Sequence, residues 1–121
     1  MKDFMKDFMN IFIIYILILV LFYNVDDNLS RFLLTTILYI NSLLLFKINY
    51  SMGLLYLLLA VGASFTEFIF IKYMKNSWEY KNPDITLIPY WLIPLWGIAI
   101  IIIIQISNKF NSKDMFLYKL I

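Results

Sequence analysis

Histidine and cysteine are both absent from this 121-residue chain, and arginine occurs once, at Arg31. These gaps exclude histidine acid–base chemistry, thiol nucleophiles, disulfides and the common zinc and haem ligands. A lone arginine forms no cluster for clamping phosphates bidentately. The three glycines, Gly53, Gly62 and Gly97, stand singly inside apolar runs, so no glycine-rich phosphate loop exists. Charge is scarce as well: charged residues make up 15% of the chain, against about a quarter in an ordinary soluble domain. The formal net charge of +2 is too small and too dispersed for a nucleic-acid footprint.

What remains is apolar: 63% of residues are hydrophobic and 19% aromatic. They fall into long runs separated by charged clusters, a pattern that fits neither a soluble domain nor a disordered chain. Spans of roughly 20 helical residues would each cross a hydrocarbon core about 30 Å thick. Four such spans leave no room for a separate catalytic domain. The sequence therefore predicts an all-α, single multi-pass membrane domain of four transmembrane helices packed as two antiparallel hairpins. The expected spans are 8–23, 29–46, 52–71 and 85–106.

Lys2 and Lys6 precede the first span, but no small-residue cleavage site follows Phe22, so a retained helix is expected rather than a signal peptide. Asp26, Asp27, Asn28 and Ser30 offer N-caps for the second helix. The tail after Asn108 carries Met115, Phe116, Leu117, Leu120 and Ile121, and is expected to lie along the interface. Lysines concentrate at the termini and at Lys47, opposite Arg31, Lys72, Lys75 and Lys81, which favours cytoplasmic termini. The tandem Met1-Lys2-Asp3-Phe4 and Met5-Lys6-Asp7-Phe8 reads as a short local duplication. Ile, Leu, Phe, Tyr, Asn and Lys outweigh Ala, Gly, Arg and Val, as A+T-rich coding sequence dictates; for a viral source the membrane would be the host's.

Glu67 is the acidic residue set well inside an apolar span. A carboxylate in hydrocarbon costs about 2.5 kcal/mol or more, so it should face the bundle or a wet cavity. Gly53, Tyr56, Ala60, Ala63, Ser64 and Glu67 share one helical stripe, a run of small or polar residues that lets helices approach. Near the span end, Glu67 is also placed to meet Lys72, Lys75 or water. In the second span Thr35, Tyr39 and Ser42 share a face suited to interhelical contact, with Asn41 a step around.

All three tryptophans lie between Trp78 and Trp96, interleaved with Tyr80, Pro83, Pro89, Tyr90, Pro94 and Gly97. An aromatic belt accounts for part of this cluster. Pro89 and Pro94 predict a kinked or broken fourth helix with carbonyls freed at Ile85 and Tyr90. Tyr90, Pro94 and Gly97 fall on one face, a groove for a neighbouring helix. The candidate site is Glu67 as acid, with Tyr80, Tyr90 and Trp91 as ligand-binding residues. No metal and no cofactor is implied.

The order Glu67, Trp78-x-Tyr80, Pro83, Pro89-x-Trp91-Leu92-x-Pro94-x-Trp96-Gly97 resembles a motif of small multi-pass membrane proteins of unknown function. That resemblance spans the third and fourth helices and implies membership, not activity. A fainter similarity is to the lycopene cyclase domain, whose Trp-x-Tyr loop Trp78-x-Tyr80 matches. Its intramembrane Glu-Glu pair has no counterpart, because Ser64-Phe65-Thr66-Glu67-Phe68 keeps a single acid before the loop. The small multidrug exporters share the chain's size and one membrane glutamate, but theirs is in the first helix.

The leading expectation is a non-enzymatic structural or partner-binding membrane component, associating with itself or with another membrane protein in the lipid bilayer. One alternative is a lipid- or isoprenoid-handling enzyme or carrier with Glu67 as proton donor. Another is a small solute transporter, which the apolar other half of the third span disfavours.

Overall fold

The computed structural model describes residues 2–74, 78–80, 83 and 87–110. Four helices make up the fold: α1 (Lys2–Asn24), α2 (Asn28–Leu45), α3 (Tyr50–Tyr73) and α4 (Leu92–Phe110). Three of them, over Met5–Asn24, Asn28–Leu45 and Tyr50–Tyr73, are long and apolar enough to cross a membrane. Their bounds enclose the first three expected spans apart from Phe46, which caps α2. From Lys2 onward the tandem N-terminal repeat is the first two turns of α1. The expected interfacial tail lies, from residue 111 on, outside the described residues.

The fourth span differs from expectation. Its helix starts at Leu92, not near 85, and its apolar stretch, Leu92–Asn108, is shorter than the other three. Proline chemistry explains the shift. Pro89 disfavours a helical Ile88 before it, and Pro94 occupies the first turn, where an N–H would have no acceptor within the helix. Both prolines thus mark the helix entrance instead of kinking its interior. The Tyr90 carbonyl, expected to be free, accepts the Ile93 N–H at 3.2 Å. The Pro89 carbonyl likewise accepts from Leu92 at 3.2 Å. The Ile85 carbonyl lies outside the described residues.

Local chemistry sets the other helix ends. The Asp27 carboxylate accepts the Ser30 N–H at 2.8 Å, and Asn49 Oδ1 accepts the Met52 N–H at 2.8 Å, so each caps the helix that follows. The backbone N–H of Ser30 holds the Asp27 carboxyl below its usual range. At the end of α2, the Ile48 N–H reaches the Leu43 carbonyl at 2.9 Å and the Lys47 N–H reaches Leu44 at 3.2 Å. This Schellman closure puts Lys47 at φ 56°, in the left-handed region where glycine is usual. Arg31 finishes α1: its guanidinium donates to the carbonyls of Phe22 and Val25. A cation at a helix C-terminus also opposes the negative end of the helix dipole.

α4 is the hub. It packs most extensively on α3, then on α2, and also touches α1, while α1 packs on α2. The core joins Ile14, Tyr39, Tyr56, Ile98 and Ile101. Gly53, Tyr56, Ala60 and Ser64 of the expected α3 stripe are buried, as are Thr35, Tyr39 and Ser42 of α2. Thr35 and Ser42 hydrogen-bond to their own helix, on the carbonyls of Arg31 and Leu38, so they enter the interface by size. Tyr39 makes the link between helices, donating to the Gly53 carbonyl at 2.6 Å. The outer surface is apolar: Phe12, Leu44, Leu58 and Phe65 are each more than half exposed. In water such a surface would be an aggregation liability; in a bilayer it faces lipid.

Gly97 and Gly62 make opposite demands. A Cβ at Gly97 would stand 2.6 Å from Tyr39 Cε1, whereas one at Gly62 would have nothing within 4 Å. The Tyr39 ring cannot move aside without giving up its bond to Gly53. Gly97→Ala should therefore destabilise the folded chain by about 1–3 kcal/mol through overpacking, while Gly62→Ala should be neutral or stabilising by up to about 1 kcal/mol. Unfolding of the two variants in mild detergent measures both signs.

Candidate functional site

The C-terminal ends of α1 and α3 and the N-terminal ends of α2 and α4 meet at one end of the bundle, where the Trp78–Tyr80 segment also lies. This junction holds Glu67, Tyr80 and Trp91. Glu67, nearly two turns inside the C-terminal end of α3, is partly buried there. Its Oε1 accepts Tyr80 Oη–H at 2.6 Å and Trp78 Nε1–H at 3.2 Å, and its Oε2 accepts Trp96 Nε1–H. These three donors come from the loop and from α4, so one carboxylate ties α3 to both. All three are neutral. Lys72, one expected partner, sits instead over the rings of Phe68 and Tyr73, at 5.9 and 5.3 Å. Lys75, the other, lies outside the described residues.

Indole and phenol groups suit this task. Each combines a large apolar body with one polar hydrogen, and a buried indole N–H needs an acceptor. Burial and the hydrogen bond to Glu67 push the Tyr80 phenol up from its ordinary value, so it stays a donor.

Trp91 is the second centre. Its ring meets Phe22 edge-on at 4.7 Å and Tyr80 edge-on at 5.6 Å. Its Nε1–H donates to Asn28 Oδ1 at 3.1 Å, joining residues 63 apart in sequence. The Arg31 guanidinium lies 4.8 Å from the Phe22 ring centre and 5.8 Å from that of Trp91, so a cation–π contact fixes the same side chain that finishes α1.

A cavity of about 410 Å³ is lined by Glu67, Tyr80 and Trp91 together with Phe22, Leu92, Leu95, Trp96 and Ala99. Three of the four candidate site residues are therefore together. Tyr90 is not with them: it is about half exposed and faces the Phe32 ring at 6.2 Å. The turn before α4 directs Trp91 inward and Tyr90 outward, a reversal that helical spacing could not foresee. Pro94 is buried, and Gly97 faces α2 through Tyr39.

Trp78 and Trp96 were not foreseen as partners of Glu67. A signal existed, since a buried indole N–H needs an acceptor and Glu67 is the acid set inside an apolar span. Asn28, Phe22 and Arg31 gave no comparable signal, because their contacts depend on how α1 and α2 dock. Among the described residues there is no group of three or more metal-ligating side chains. No protein-family model matches the chain, and neither a curated protein nor a solved structure is detectably similar to it.

A raised phenol has a consequence for alkaline stability. The neutral Tyr80 is favoured in the folded chain, so its contribution is complete below the ordinary value of 10.0 and is lost as pH rises through the higher folded value. Stability should fall above about pH 10, and Tyr80→Phe should flatten that fall. Thermal unfolding of both proteins between pH 8 and 11 reads the difference.

Proposed function

We propose that this chain is a non-enzymatic multi-pass membrane component in which Glu67 fastens the bundle end together instead of acting as an acid. The observation carrying this reading is the saturation of the carboxylate by Trp78, Tyr80 and Trp96. A proton donor must turn an O–H toward its ligand, but both oxygens here receive hydrogens from the protein itself. The small-residue stripe of α3 supports the same conclusion: it is used inside the bundle, packing α3 rather than offering a face to a substrate.

The proposed topology has four crossings, with α1 and α2 as one hairpin, α3 and α4 as the other, and both termini cytoplasmic. Contacts within each pair and the three membrane-length helices support it. The competing reading, an acid acting on a lipid or isoprenoid, has one observation in its favour, that Glu67 lines an apolar cavity.

Glu67→Gln separates the two readings. The amide keeps one oxygen but places an NH₂ against donors, so the fastening role predicts a loss of about 1–3 kcal/mol. Trp96→Phe should cost less on its own and add little to Glu67→Gln, because both remove the same bond. A Glu67→Gln protein as stable as the parent, but deficient in turnover of an isoprenoid or lipid, would overturn the proposal.

Topology has its own test, since the chain contains no competing thiol. Glu79→Cys sits on the connection after α3 and Ser51→Cys in the first turn of α3, beside the connection before it, and both are exposed. An impermeant maleimide should label Glu79→Cys from outside intact cells and Ser51→Cys only after permeabilisation. Labelling of both from one side would refute the arrangement.

A further inference from the structure

Two cavities adjoin at the Glu67 end of the bundle. The first is the apolar one of about 410 Å³ described above. The second, about 450 Å³, is lined by Asp26, Asn28, Arg31, Glu79 and Pro89. Tyr80 and Trp91 line both. Each volume falls in the range of about 300–1,000 Å³ typical of small-molecule sites. The pairing matters more than either volume. A cavity walled by leucine, alanine and aromatic rings meets a cavity walled by charges across two side chains that are themselves half apolar and half polar. The molecule that matches both is an amphiphile, with a chain on one side and a head on the other.

The charges select the head. Asp26 and Glu79 bring two carboxylates, and the faces of Tyr80 and Trp91 add the electron-rich surface that attracts ammonium groups. Arg31 brings one guanidinium, held in place by the Phe22 and Val25 carbonyls and by two rings, with the exposed Asp26 carboxylate 3.9 Å away, so opposite charges stand side by side at the cavity. A guanidinium is the preferred partner of a phosphate. An anionic head would meet Arg31 but be repelled by both acids, and an uncharged head would use none of them. A head with adjacent negative and positive charges uses all three.

We propose that the chain binds one zwitterionic phospholipid at this end. Its phosphate lies toward Arg31, its ammonium toward Asp26, Glu79 and the two rings, and one acyl chain occupies the apolar cavity. Glu67 is compatible with that chain because its three donors already neutralise the need for water. The site stands whether Glu67 is a fastener or an acid, since it depends on the cavities and on Arg31, Asp26 and Glu79.

The protein carries its own reporter, because all three tryptophans, Trp78, Trp91 and Trp96, belong to this end. Full-length protein in mild detergent would be titrated with phosphatidylcholine brominated on its acyl chains, and with phosphatidylglycerol and diacylglycerol brominated alike. The expected result is saturable tryptophan quenching, about fivefold tighter for phosphatidylcholine than for the other two, equivalent to about 1 kcal/mol. Asp26→Lys with Glu79→Lys should reverse the preference toward phosphatidylglycerol; both positions are exposed, and circular dichroism checks that losing the 3.9 Å Asp26–Arg31 contact leaves the helices intact. Ala99→Leu, which narrows the apolar cavity, should weaken all three lipids while leaving head preference intact. Quenching that ignores the head group, or that survives Ala99→Leu unchanged in a folded protein, would overturn the proposal. So would glycerophosphocholine, the head without chains, competing as strongly as the lipid itself. Should Ala99→Leu fail to fold, the charge-reversal pair decides alone.

Discussion

One carboxylate sets the terms for this structure. Glu67 cannot be left unpaired among apolar helices, because an isolated charge there would cost several kcal/mol. No histidine is present, and its partners are two indoles and a phenol rather than a lysine or arginine. Answering the charge with neutral donors avoids bringing a second ion into the apolar region, where desolvation of both would offset much of their attraction. Two of the three tryptophans, Trp78 and Trp96, close on this acceptor together with Tyr80, while Trp91 gives its hydrogen to Asn28.

The same economy of polar groups runs along the helices. Thr35, Thr36, Ser42 and Thr66 return their hydroxyl hydrogens to the carbonyl four residues earlier, so they need nothing from a neighbouring helix. The interfaces are then free to be set by shape. Gly97 admits the Tyr39 ring, Tyr39 reaches the backbone of Gly53, and Gly53 lies against Leu43. This chain of close approaches joins α4, α2 and α3 through positions where backbone or small side chains meet a ring. α4 sits at its centre because it carries both Gly97 and the indole of Trp96 that reaches Glu67.

Much of this was legible in the residues, and the parts that were not share a cause. The α3 stripe from Gly53 to Ser64 and the Thr35–Tyr39–Ser42 face follow from helical periodicity alone, and both are buried. Asp27 was one of four cap candidates, and only the turn geometry singles it out. Glu67, Tyr80 and Trp91 come together because they lie at the same end of adjacent elements. Tyr90 fails to join them because the register of a turn, unlike that of a helix, is not set by periodicity. The start of α4 was misplaced for a related reason: prolines report that a helix is interrupted without saying whether it bends or begins. Arg31 was read only as one of the charges opposite the termini, since its targets, carbonyls at the end of α1 and just beyond it, become available only after the first two helices fold back on each other.

The late start of α4 changes what the prolines contribute. In a bilayer, backbone outside a helix is tolerated only where protein surrounds it, because every N–H and C=O needs a partner. The approach to α4 meets that condition at Ile88, Pro89 and Trp91, which are buried, while Tyr90 turns outward. Pro89 and Pro94 have no N–H to satisfy. They shorten the roll of backbone donors where the chain enters α4, and Trp91 is held there, edge-on to Phe22 and Tyr80, at the boundary between an apolar cavity and a charged one.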